Sequence, residues 1–327
     1  MKKILLIFSL LALIGTAKAQ DTTTFELEFT DGYKDVITFD YSSIDSCFKN
    51  YFSFEFINLG LFFGKQEPAP LGTFITNFDY HFYPGDNNQY FYGNLYVPIL
   101  DGARMDPNVD DMKVVRVYLE GGFSKAFLSK TKIKERKLNF YNPDRQVSGY
   151  DYTLHTAKLP VYYQSKWMYR GGIGLHQRGI NNYAEYEYAH IEIDSVDYNA
   201  GSERSLILQV GISKSNYSKL YYNSSGFGSQ KAAIISHMYF DILLAPMVML
   251  SGEAKYPDGT IETGSFDELD QLPQNLLGWR FGLKYQGSTV KAKSRGSSLG
   301  LEFGSIPGLA AGGGYLLLKY GMQFYWN

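Results

Sequence analysis

From residue 20 onward, apolar and polar positions alternate with a period of two, and helical spacing is scarce. Successive side chains of a strand point to opposite faces, so this period predicts β-structure. In 314–326, Leu316, Leu318, Tyr320, Met322, Phe324 and Trp326 share one face, with Lys319, Gly321 and Gln323 on the other. The same pattern runs through 114–123, 166–178, 204–213, 232–244 and 276–286. Less regular strands are expected at 24–30, 53–63, 73–83, 89–99, 132–141, 149–163, 184–198 and 297–305. In 149–163 and 184–198 the apolar set changes parity, as a bulge or a stretch outside a membrane would make it do. Turn residues separate the segments, as in Pro84-Gly85-Asp86-Asn87-Asn88 and Pro257-Asp258-Gly259. The segments number about fourteen, and 24–30 has the alternative of pairing with 35–41 as a separate hairpin.

Alternation also describes a soluble sandwich, and composition separates the two readings. Of 327 residues, 17% are aromatic, with 28 Tyr and 23 Phe, while 20% are charged and the net charge is −2. That many aromatic residues exclude a disordered chain, and the charge offers no footprint for nucleic acid. With Cys47 alone there is no disulfide framework. The apolar faces are long and bounded by Tyr, Trp or Phe, like the aromatic girdles of a transmembrane barrel. Several segments reach the roughly 9–11 residues that a tilted barrel strand needs, against about 5–6 for an ordinary strand. Without apolar helices a chain can cross lipid only as a closed barrel, since every backbone N–H and C=O must be paired internally. The expectation is an all-β antiparallel transmembrane barrel of about 14 strands, within 12–16.

Residues 1–19 read as a signal peptide, with Lys2 and Lys3 before the apolar stretch Ile4–Ile14 and a small-residue site at Ala17-Lys18-Ala19. Residues 20–327 are then the barrel domain. Together, the signal peptide, the aromatic-flanked alternating segments and the closing strand Gly314–Trp326 resemble a Gram-negative outer-membrane β-barrel protein, with a Tyr/Phe-rich flavour similar to barrels of the Bacteroidota. The resemblance implies placement in the cell outer membrane, among its lipids. Barrels of this class commonly end in an aromatic residue; here Trp326 is followed by Asn327.

Long loops are expected at 100–112, 214–231 and 252–275. The first carries Asp101, Asp106, Asp110 and Asp111, and the third Glu253, Asp258, Glu262, Asp267, Glu268 and Asp270. These acids lack the ligand spacing of an EF-hand loop. Catalytic chemistry finds no motif: Ser236 and His237 point to opposite faces, and His237 and Asp241 stand roughly 13 Å apart along a strand. No catalytic, cofactor or metal residues are assigned, and the chain is read as non-enzymatic. The polar faces supply lumen candidates: Arg116, Glu120, Arg170, His176, Arg178, Arg280, Lys284 and Lys319. They would either line a pore or pair across the lumen and hold it shut. The leading expectation is a passive, porin-like channel for small solutes. The alternative is a barrel subunit or plug of a larger secretion or uptake assembly, gripping protein partners through the Tyr-rich loop around Tyr217, Tyr221 and Tyr222.

Overall fold

Period-two alternation becomes strand almost wherever it occurs. The computed structural model describes residues 22–28, 34–40, 50–63, 71–84, 88–103, 116–141, 154–179, 189–224, 228–289, 295–309 and 314–326. The expected signal peptide and Asp106, Asp110 and Asp111 lie outside them. In chain order the strands are β1 (Thr22–Glu28), β2 (Lys34–Asp40), β3 (Asn50–Phe63), β4 (Leu71–Phe82), β5 (Gln89–Ala103), β6 (Arg116–Tyr141), β7 (Leu154–Gly179) and β8 (His190–Ile193). They continue with β9 (Val196–Ser224), β10 (Gly228–Lys255), β11 (Ile261–Gly264), β12 (Gln274–Asn275), β13 (Leu277–Thr289), β14 (Arg295–Ser305), β15 (Gly308–Leu309) and β16 (Gly314–Trp326). Among the described residues no helix is long and apolar enough to cross a membrane.

Fourteen of these strands form one sheet, the number expected, while β12 and β15 pair separately. Ten of the fourteen close a ring: β3, β4, β5, β6, β7, β9, β10, β13, β14 and β16, the last pairing back to β3. β1–β2, β8 and β11 are attached to it at the ends of β9 and β10. Thr22–Glu28 pairs antiparallel with Lys34–Asp40, which realises the small hairpin considered for this region. An even ring agrees with the rule for single-chain bacterial barrels.

By Cα proximity the chain forms two units, one of residues 48–132, 162–218 and 232–327, the other of 1–47, 133–161 and 219–231. In the first, the usual order of inside and outside is inverted. Along β9, Ser205, Gln209 and Ser213 are buried, whereas Leu208, Val210 and Ile212 are 40%, 69% and 45% exposed. Ile173, Leu175, Ile242, Leu277, Leu299 and Met322 are exposed in the same way. So wide an apolar belt is untenable in water, where monomers expose patches of a few hundred Å² at most. Against hydrocarbon it is the favourable arrangement, and closure leaves no sheet edge inside the bilayer. The ring is a transmembrane β-barrel.

Where the sequence pattern falters, the cause is local. On β3 an extra residue between Glu55 and Asn58 shifts the register against both β4 and β16. The bulge resets the parity, so that Glu55 and Asn58 are both buried while Ile57, Leu59 and Leu61 are exposed. The segments expected at 114–123 and 132–141 merge into the 26-residue β6, and 149–163 and 166–178 into the 26-residue β7. The expected loop 214–231 is likewise corrected: 214–224 continues β9 and 228–231 opens β10, strands of 29 and 28 residues. On β9 the reason is polarity on both faces, with Ser215 and Ser218 buried and Lys214 and Asn216 between them, and on β6 it is exposure. Residues 127–135 of β6 are exposed on both faces, so hydrogen bonding continues where the alternation that marks a strand has ended. Tyr217, expected on a gripping loop, is a buried residue of β9, and Tyr221 and Tyr222 also belong to that strand.

Candidate functional site

The ring interior gathers Glu55, Asp79, Glu120, Arg170, Asp241, Arg280, Lys284, Glu302 and Lys319. An inward row exists on each strand because its neighbours face lipid, and on β13 that row is Gly278, Arg280, Gly282, Lys284 and Gln286, polar residues alternating with Gly. The glycines make room: a Cβ on Gly122, Gly174 or Gly282 would meet the ring of Tyr92, Tyr118 or Tyr239 respectively. Small residues opposite large ones are how a narrow barrel packs its inside.

At the centre, Arg280 on β13 meets Glu120 on β6 at 2.7 Å and Asp241 on β10 at 2.8 Å, and donates to Gln209 Oε1 on β9 at 2.5 Å. Arg170 on β7 takes the other oxygen of Asp241 at 3.0 Å. Its guanidinium also lies over the rings of Tyr92 and Tyr239, at 4.7 and 4.4 Å. Glu120 accepts from Tyr118 Oη at 2.8 Å and from Asn94 Nδ2 at 2.5 Å. Arg280 is 2% exposed and Asp241 0%.

Two further knots flank this one. Lys319 on β16 reaches Glu302 at 2.9 Å and the Tyr96 hydroxyl at 2.7 Å. Glu302 also accepts from Tyr315 Oη at 2.9 Å and from Tyr239 Oη. Lys284 joins Glu55 at 2.8 Å and Asp79, and Asn77 Nδ2 donates to Glu55 Oε2 at 2.6 Å. Towards the end that carries β12 and β15, Arg178 pairs with Glu203 at 2.8 Å, and the Leu309 N–H donates to the same carboxylate at 3.1 Å. Gly308 approaches Glu203 closely and has φ +148°, a conformation that suits glycine. Tyrosines and His81 stack beyond the Lys284 knot, with the His81 and Tyr90 rings 5.0 Å apart and nearly parallel.

Of the residues expected in the lumen, Glu120, Arg170, His176, Arg178, Arg280 and Lys319 are buried and Lys284 is half-buried. Arg116 opens β6, and its side chain lies outside the described residues. Sequence reasoning missed Glu55 and Asp79, which share Lys284, and Glu203, which pairs with Arg178. The β3 bulge concealed Glu55; Asp79 did carry a signal, a charge inside the expected strand 73–83, whereas Glu203 lies one residue before the expected strand 204–213.

His237 tests for chemistry. Its Nε2 lies 3.0 Å from Arg170 Nη1 and 3.3 Å from Tyr90 Oη, while Nδ1 lies 2.6 Å from Ser215 Oγ. A guanidinium can only donate, so Nε2 accepts and the ring proton of neutral His237 sits on Nδ1, donating to Ser215. A base that activates serine must instead receive the serine proton, so Ser215–His237 is no nucleophile–base pair. Arg170 also bridges His237 to Asp241, which the spacing along β10 kept apart.

Two small cavities lie between these side chains. One cavity of about 40 Å³ is lined by Glu55, Asp79, Lys284, Glu302 and Lys319 among others. Another of about 50 Å³ lies among Ile75, Ile207, Leu243 and Leu317. The first, whose walls are charged, has room for a few water molecules.

Belt, ring and polar interior together define the class: this is a β-barrel of the outer-membrane type. No family model matches the chain, and no curated protein does. Solved structures that it resembles include a bacterial polysaccharide outer membrane secretin, at 7% identity over 85% of this chain and 98% of that one, with TM-score 0.22. An anion-selective porin from Comamonas acidovorans matches at 7% identity, covering 84% and 98%, with TM-score 0.19. A loop-deletion mutant of OmpT, an outer membrane protein of Vibrio cholerae, matches at 11% identity, covering 85% and 100%, with TM-score 0.16. Such scores mark a very loose likeness.

Proposed function

We propose that the chain is a closed, non-enzymatic outer-membrane barrel that serves as an anchoring subunit and conducts no solute. The observation that carries this reading is the Arg280–Asp241–Arg170 bridge with its flanking Lys284 and Lys319 knots, which ties facing walls of the ring together. A ring of ten strands is only slightly wider than the eight whose interior side chains fill, and the inward residues here are long.

Strand length supports the anchoring half of the reading. β6, β7, β9 and β10 run 26–29 residues, whereas crossing the hydrocarbon takes about 9–11. More than half of each therefore lies outside the hydrocarbon, a large investment of ordered backbone for a protein whose task ended at the bilayer. Such strands suit a subunit of a larger envelope assembly, which grips its partners outside the membrane.

Planar-bilayer recording separates this reading from a passive pore. The wild-type protein is expected to give no resolved channel events. A variant with Glu120, Arg170, Asp241 and Arg280 all replaced by Ala is expected to give frequent, noisy openings. Steady wild-type conductance would overturn the proposal and favour the small-solute channel. Chemical cross-linking in intact envelopes tests the assembly half, which fails if only this chain is recovered.

A further inference from the structure

We propose that the outer wall formed by β9, β10, β13, β14 and β16 carries a groove for one anionic phospholipid. A concavity of about 530 Å³ opens on this wall. Its long part is apolar, with Leu283, Leu299, Leu301 and Leu318 in the lipid-facing belt. One end is polar and cationic, formed by Lys214, Asn216 and Ser236.

Three observations fix that end at the membrane boundary. The Lys214 ammonium lies 5.2 Å from the centre of the Trp167 ring. The Tyr163 hydroxyl donates to Asn216 Oδ1 at 2.7 Å, and Asn216 Nδ2 donates to Ser236 Oγ at 3.2 Å. Trp, Tyr and Lys are the residues that mark the headgroup level. Beyond this polar end the same wall continues into hydrocarbon through Phe240, Phe281 and Phe303. The groove thus accepts an acyl chain along its length and a headgroup at Lys214.

Charge selects the headgroup. Among the described residues no carboxylate pairs with Lys214, and the groove has no outward acid, so a phosphate without a compensating amine is the better match. The single cationic end matches a lipid with one phosphate, as a phospholipid has, rather than the two phosphates and several acyl chains of lipid A. The inference depends on the barrel spanning the bilayer, not on whether its lumen conducts.

The test is native mass spectrometry of the delipidated, detergent-held protein titrated with phosphatidylglycerol, phosphatidylethanolamine and lipid A in equal amounts. The expected result is a single preferred phosphatidylglycerol adduct. Lys214→Gln should cut that preference about fivefold, from the worth of one basic residue at an anionic surface, and leave phosphatidylethanolamine unchanged. Leu301→Trp, which fills the groove, should remove both adducts; Leu299→Trp serves if that variant does not reach the compact electrophoretic form. Preference for lipid A, equal binding of the two phospholipids, or unchanged selectivity in Lys214→Gln would each overturn the proposal.

Discussion

Asp241 is held by two arginines from different strands, Arg170 and Arg280, and Arg280 in turn holds Glu120. Removing one member of such a set leaves charges buried without their counterparts, which typically costs about 3–5 kcal/mol. Arg280→Met is therefore expected to lower the urea midpoint for loss of the compact electrophoretic form by that equivalent. Replacing Arg280, Arg170, Glu120 and Asp241 together by apolar residues should cost less than the single change, because no stranded charge of the set remains. Packing gives a second case. At Gly282 a side chain would meet the Tyr239 ring, so Gly282→Val should destabilise the barrel by about 1–3 kcal/mol. Combining it with Tyr239→Ala should recover part of that loss in the same titration.

Single strands show how much the sequence disclosed. β13 and β16 were legible almost to the residue, since each alternates lipid-facing Leu, Trp or Tyr with inward Gly, Arg or Lys. The same parity selected Arg170, Arg280 and Lys319, which the structure brings into one interior. β3 was less legible, because the extra residue before Asn58 breaks the period and moves Glu55 out of the apparent polar row. The middle of β6, 124–131, and residues 214–224 of β9 were not legible as strand, because neither stretch alternates apolar with polar residues. What no strand could disclose was pairing across the ring, which joins residues far apart in the chain. Face assignment makes a sharp prediction for β9. Val210→Arg, on the lipid side, should weaken folding into phosphatidylcholine vesicles by roughly 2–4 kcal/mol if it lies near the midplane. Ser205→Ala, on the inner side, should change that stability by less than a quarter as much.

Interior contacts tie the beginning of the chain to its end. Lys284 meets Asp79 across 205 positions, and Lys319 meets Tyr96 across 223. Neither contact exists until β16 has found β3, so the inside of the barrel is completed by the last pairing to form. Deleting 314–326 should therefore leave more than a ragged end: Glu302 and Tyr96 lose Lys319, and β3 and β14 become bare edges. Limited proteolysis after refolding into vesicles is expected to cut such a chain throughout β3, β4 and β5, not merely near its terminus. A ribosome that stalls late would then deliver a product with no halfway value to the envelope, and quality control need inspect only the final seam to judge the whole.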